Sequence, residues 1–356
     1  MENRIKNEDG RIIGLDILRI VAMVLITLRH FVGYSGLVLI TDPYSVNGIL
    51  VRLIEIFCGC AVNLFVLISG FFLVESKFKW ERAVKIWGET FFYSVLCFAG
   101  AVILGFEQVT SGKLLLSVLP LLSRHYWFTV AYIALYLVSP FINKMLNSLT
   151  KREYTWLVIG GAVLLSAWTT FIYFSAGVMT GGHTGLLWFM YIYCVGGYLR
   201  KNREYIPKKR FCIIGAIAAI MVLMGYSLLQ KKFAFLQNFP VLQDDSIVIL
   251  LISLFLFAAF LNVSIKSAWC QKLIKAIAVG AFGVYLIQES CMVRQGLWER
   301  LIKPEQYADK WYLIPLALLV VVCLFAAAFI GHRLFELLYK LVKNCLEKRS
   351  RKATQK

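Results

Sequence analysis

The sequence predicts an all-α fold, a polytopic membrane helical bundle of about ten transmembrane helices with both termini in the cytoplasm. Three observations carry this. Hydrophobic residues make up 60% of the 356-residue chain against 16% charged, and the mean hydropathy is +0.72, more apolar surface than a soluble domain of this size needs. Ten apolar stretches are long enough, or nearly long enough, to cross the hydrocarbon layer, which is about 30 Å thick. Lys and Arg collect on alternate connections between those stretches, as they do in the short cytoplasmic loops of membrane proteins.

In chain order the stretches are 12–33, 54–74, 87–106, 126–143, 155–175, 185–199, 211–229, 246–265, 273–290 and 312–334. The first is too polar within, and too poor in small residues at its end, to be a cleaved signal peptide, so it is expected to remain as the first span. The run 114–122 is too short to span and reads as interfacial or re-entrant. The last span is expected to continue as a basic helix to about Leu346. The domain reading is a cytoplasmic tail over 1–11, a ten-span domain over 12–334, and a basic cytoplasmic tail over 335–356.

With the N-terminus inside, the inward connections and tails carry 27 of the 38 Lys and Arg, the opposite side nine, and Arg19 and Arg29 lie within the first span. The net charge of +18 is therefore a matter of topology and of contact with an anionic lipid bilayer, not of nucleic-acid binding. The nine cysteines are scattered, mostly inside apolar stretches, and Cys58-Gly59-Cys60 lacks metal-ligand spacing. They read as small buried hydrophobes, with no disulfide framework and no zinc site.

The most informative local feature is the eleven-residue step from Arg19 to His30 in the first span. Eleven residues make three helical turns plus about 20°, so both side chains point the same way, about 16 Å apart along the axis. Ionisable residues at membrane depth are expensive to keep, and their retention points to function. Asp16 lies one turn before Arg19, about 60° around the helix, where it can pair with or orient the guanidinium. One reading makes His30 a proton acceptor and Arg19 the group that binds or orients an anionic or carbonyl-bearing partner. The other makes Arg29-His30 an interfacial end to the span and Asp16-Arg19 a structural ion pair. The residues alone leave both open.

Arg19-(ten residues)-His30 resembles the basic-residue-(ten residues)-His signature in the first span of the acyltransferase 3 family. Further blocks are similar to that family in the same order. They are Gly14 to Arg19, the Phe-rich Val62 to Leu73 with Ser69-Gly70-Phe71, Trp127-Phe128 followed by Leu135 to Pro140, and Phe282-Gly283-Val284-Tyr285-Leu286-Ile287. The resemblance runs from about residue 12 to about 335. It implies an integral membrane enzyme of a bacterial plasma membrane. The implied reaction moves an acyl group, acetyl first, from acetyl-CoA or another acyl-CoA to a hydroxyl of an envelope glycan or lipid-linked sugar.

On that resemblance His30 and Arg19 are the catalytic pair. Arg82-x-x-Lys85 is similar to the Arg-x-x-Arg element that many relatives carry after the second span, and it implies a site for the donor phosphates. Ordinary positive-inside charge explains Lys77 and Lys79. Asn63 and Ser69, six residues apart, fall on roughly opposite faces of the second span and read as interhelical hydrogen-bonding groups, with Ser69 favoured by its Ser-Gly-Phe context. Trp127 and His125 stand at the outer end of the fourth span, as interfacial anchors or as neighbours of the acceptor. Many relatives follow the late Tyr-Leu-Ile with His where this chain has Gln288, which removes one possible titrating group. Glu289 is either an acid or polar wall residue, or simply the outer end of the ninth span. His183 reads as solvated, and His332 as the head of the basic tail.

There is no Gly-x-Ser-x-Gly elbow, no Gly-Lys-Ser/Thr phosphate loop and no His- or Cys-pair metal motif, so no metal is expected. Many relatives carry a fused esterase-like domain. Here the membrane part is expected to perform the transfer itself or to hand the acyl group to a partner protein. Two other classes fit ten spans with intramembrane charge: a transporter or flippase of a lipid-linked sugar or small solute, and a membrane ligand-binding module. Against the transporter, no inverted repeat or Gly/Pro-broken helix pair is evident.

Overall fold

The computed structural model describes residues 12–122, 126–172, 185–239 and 241–354. All regular structure among the described residues is helical. The helices are α1 (Ile13–Tyr34), α2 (Leu37–Ile40), α3 (Val46–Cys58), α4 (Ala61–Leu73), α5 (Trp80–Ile103), α6 (Ser111–Val118), α7 (Trp127–Ser148), α8 (Lys151–Ala162), α9 (Trp168–Phe171), α10 (Leu186–Lys201), α11 (Lys209–Lys232), α12 (Ile247–Leu261), α13 (Ala268–Gln288) and α14 (Leu313–Thr354).

Among the described residues, seven helical runs are long and apolar enough to cross a membrane: α3–α4 together, α5, α7, α8–α9, α11, α13 and α14. Three shorter or more polar helices occupy the other expected stretches. α1 carries Asp16, Arg19 and Arg29, α10 has 16 residues and α12 has 15. The molecule is built as a multi-pass membrane bundle.

Local chemistry sets several boundaries. Ser45 caps α3 by accepting from the Gly48 N–H at 3.0 Å, so the second apolar run starts at Val46, well before the expected residue 54. Thr150 and Glu153 form a capping box that starts α8, and Ser246 and Ser267 cap α12 and α13, each satisfying an amide that the helix leaves unpaired. α5 begins at Trp80 rather than 87, so Arg82 and Lys85 belong to its first turns and not to a loop. The run 114–122 is a short helix and a 3-10 turn (Pro120–Leu122) with Leu114, Leu115, Leu119 and Leu122 exposed. α14 continues without a break through 334 and 335 to Thr354.

The connections gather at two ends. At one, Arg29 meets Asp244, Tyr34 meets Glu289, and the Asn47 amide donates to the carbonyls of Ala308 and Lys310. At the other, Arg200 meets Glu75, the Asn143 amide donates to the Leu73 carbonyl, and Tyr136 bonds the Lys79 backbone.

α4 is the centre of the bundle, with Leu64, Leu67, Ile68 and Phe71 fully buried. Its closest partner is α10. A Cβ on Gly70 would meet the backbone of Tyr193, and one on Gly196 would meet the Leu67 carbonyl and the Phe71 amide. Small residues bring these two backbones together, as in other membrane helix pairs.

The interhelical bonding expected of Asn63 is present. Its amide donates to the Asp244 carbonyl at 2.7 Å, and its Oδ1 accepts from Trp188 Nε1 at 2.9 Å. Asn63 is 1% exposed and Trp188 0%. Asn63→Leu strands both partners, and a buried polar group left unmade costs about 1–3 kcal/mol. The expected result is a lower unfolding midpoint in detergent, and an unchanged midpoint would show that the node contributes nothing.

Candidate active site

α1 presents one stripe to the interior: Arg19, Met23, Ile26 and His30, spaced four, three and four residues apart. Those spacings keep side chains on one helix face. The stripe opens onto two cavities. The inner one, about 290 Å³, is lined by Arg19, Met23, Ser69, Glu89 and Tyr132, among others. The outer one, about 320 Å³, is lined by His30, Arg29, Tyr34, Trp127 and Asp244, among others. Both members of the Arg19/His30 pair thus look into space within the protein, one at each level.

At the outer level, His30 Nδ1 is 3.6 Å from Glu289 Oε1. Glu289 is buried at 2% exposure and accepts from the Tyr34 hydroxyl at 2.5 Å. The alternative in which Glu289 merely ends a span at the surface is overturned. α13 stops at Gln288, the Glu289 amide still completes the helical bond to the Tyr285 carbonyl, and the carboxyl meets Tyr34 of α1. Tyr34 lies against the imidazole with ring centroids 5.0 Å apart, and Arg294 sits over the Tyr34 ring at 5.0 Å. Gln288, next to Glu289 in the chain, is completely buried. It cannot titrate, but the late segment that carries it is part of the site, because Tyr285 lines both cavities.

Arg29, near the end of α1, is tied to a buried carboxylate. Its Nη1 donates to Asp244 Oδ1 at 2.5 Å, and Asp244 is 3% exposed. Trp127 takes its place on the outer cavity wall beside His30. His125 and His183 lie outside the described residues.

At the inner level, Arg19 Nη1 donates to Asp16 Oδ1 at 2.9 Å, and its guanidinium lies over the Phe72 ring at 5.6 Å. The ion pair of one reading therefore exists, and it stands on a cavity wall. Ser69 donates to the Phe65 carbonyl at 2.9 Å and lies 3.0 Å from the Tyr132 hydroxyl, joining α4 to α7. Ile86 and Glu89 of α5 face the same space. Arg82 precedes them by four and seven residues on that helix face and is exposed, with Nη1 3.3 Å from Ser76 Oγ. Lys85 is drawn away instead, pairing with Glu336 of α14 at 2.5 Å. His332 does not merely head a tail: it is buried, with Nδ1 3.0 Å from Glu89 Oε1.

Sequence reasoning missed Tyr34, Asp244, Glu89 and Tyr132. Glu89 had a signal, being the one charged residue in the stretch 87–106, and the rule that singled out Arg19 applies to it. Asp244 and Tyr34 sit in or beside connections, where polar residues raise no flag. Among the described residues no group of three or more His, Cys, Asp or Glu side chains is placed to hold a metal ion.

Chemically, the outer level offers an imidazole held between a carboxylate and a tyrosine, suited to taking a proton from a hydroxyl. The inner level offers a fixed cation beside apolar walls, suited to a carbonyl or developing oxyanion. The sequence model of the acyltransferase domain of the acyltransferase 3 family matches residues 12–333. The chain belongs to the acyltransferase 3 family. It is a multi-pass membrane acyltransferase, and the family match spans both cavities and every helix that lines them. No curated protein and no solved structure gives a match to the chain.

Proposed function

We propose that this acyltransferase moves an acetyl group from acetyl-CoA at the cytoplasmic face to a hydroxyl of a cell-envelope polysaccharide or related glycan. The observation that carries the reading is the placement of Arg19 and His30 on successive cavities of one helix face. In this reading Arg82 meets the donor phosphates at the cytoplasmic end, and Lys85 joins it when it exchanges Glu336 for a phosphate. The thioester arm enters the inner cavity, where Arg19, braced by Asp16, orients the carbonyl and stabilises the oxyanion. Ser69 lies on the wall of that passage. His30 takes the proton of the acceptor hydroxyl, or relays the acyl group itself. Glu289 orients the imidazole, and Trp127 stands on the acceptor side. The positive-inside count places the Arg19 level towards the cytoplasm and the His30 level towards the outside.

The test uses membrane vesicles from native cells, with and without the protein, supplied with acetyl-labelled acetyl-CoA on the cytoplasmic face. Protein-dependent label in the envelope glycan, with release of free CoA thiol, is the expected result. Movement of an intact sugar across the membrane without acetyl transfer would replace this reading with a transporter.

A further inference from the structure

We propose that Ile26, Phe128 and Tyr285 form a gate between the two cavities that admits short, uncharged acyl groups and rejects long or anionic ones. The proposal rests on the acyltransferase reading above and deepens it by naming the acyl class.

These three residues, one each from α1, α7 and α13, line both cavities. Ile26 stands on the active stripe itself, seven residues after Arg19 and four before His30. Any acyl group carried from the Arg19 level to the His30 level, or presented there to an acceptor, passes this point. Each gate residue is at most 9% exposed.

The gate is also stiff. The Phe128 N–H donates to the Tyr285 hydroxyl at 3.2 Å, and the two rings meet edge to face with centroids 5.5 Å apart. Phe128 is backed by Tyr132 and Phe189, each at 5.7 Å, and Tyr285 stacks on Phe282 at 6.0 Å. Aromatic rings locked by packing and a hydrogen bond have few rotamers to yield to a longer chain. The partition shared by the two cavities consists of a branched aliphatic side chain and two aromatic rings. An acetyl methyl fits such walls, whereas the second carboxylate of a succinyl group would be desolvated there without a cationic partner among the three gate residues.

In the transfer, the acceptor oxygen bonds the acyl carbon as the carbon–sulfur bond breaks. The sulfur keeps the electron pair, and the hydroxyl proton ends on it as CoA thiol. The gate does not enter that balance; it decides which acyl carbon arrives.

The experiment compares native-membrane vesicles carrying the wild type, Ile26→Ala, Ile26→Phe and Phe128→Leu, with acetyl-, butyryl-, hexanoyl- and succinyl-CoA as donors and protein-dependent thiol release as readout. The wild type is expected to prefer acetyl over every other donor. One methylene more or less in an apolar pocket shifts discrimination by about tenfold or more. Ile26→Ala and Phe128→Leu should therefore raise the butyryl-to-acetyl rate ratio by about that factor, and Ile26→Phe should lower it. A folding defect scales all donors together, so the ratio isolates the gate. Unchanged ratios in all three variants, or a wild type that prefers hexanoyl or succinyl donors, overturn the gate and leave the acyltransferase reading standing. Thiol release from no donor at all by the wild type removes both.

Discussion

If His30 is the base of the proposed transfer, replacing it with alanine is expected to lower acetyl transfer by about a hundredfold to ten-thousandfold, the contribution a positioned general base makes. The geometry supports so large an effect because no other imidazole lines either cavity among the described residues. Glu289, at 3.6 Å from His30 Nδ1, orients the ring but is buried behind Tyr34. The alanine variant keeps the fold, since the His30 side chain faces open cavity and Nδ1 makes no hydrogen bond within normal distance. The measurement is label incorporated into glycan at matched membrane abundance. Transfer within tenfold of wild type would remove His30 from the chemistry, whether it acts as base or as acyl carrier.

Replacing Gly70 with valine has the largest expected effect on folding. The residue sits in the Ser69-Gly70-Phe71 block, where the backbones of α4 and α10 approach most closely. An added Cβ would meet the carbonyl carbon, carbonyl oxygen and Cα of Tyr193, and none of these atoms can move without displacing α10. Overpacking against flexible side chains costs about 1–3 kcal/mol, and a backbone obstacle stands at or above the top of that range. Ser69, next in the chain, would lose its place beside Tyr132 as α4 shifts. The expected outcome is loss of folded protein from the membrane, read by fluorescence-detected size exclusion in detergent. Wild-type yield and melting would show that the two helices can separate at no cost.

These two glycine and histidine positions also show why part of the molecule is legible from sequence. Arg19 and His30 share one helix, so their alignment follows from helical periodicity alone. Asn63 is a lone amide in an apolar run, and such a group bonds to a neighbour almost wherever the neighbour lies. Ser69 was likewise read as an interhelical hydrogen-bonding group and bonds Tyr132 of α7, while that it and Trp127 also line cavities could not be read from the chain. Glu289 and Lys85 behave differently, because their partners are distant in the chain. Glu289 meets Tyr34 across 255 residues, and Lys85 meets Glu336 of α14. The Glu89–His332 pair, 243 residues apart, turned a residue expected in the basic tail into a buried group behind the inner cavity.

The amino-acid order by itself determined that this chain is a multi-pass membrane protein and that a cation and an imidazole lie on one face of the first helix. Those properties depend on hydropathy and the pitch of a single helix, both of which are local. Only the tertiary structure decided that this face looks into two stacked cavities, that Glu289 and Tyr34 close on His30, and that Ile26, Phe128 and Tyr285 stand between the levels. Those are contacts among α1, α7 and α13, and side chains that meet across separate helices are brought together by packing, which no local pattern encodes.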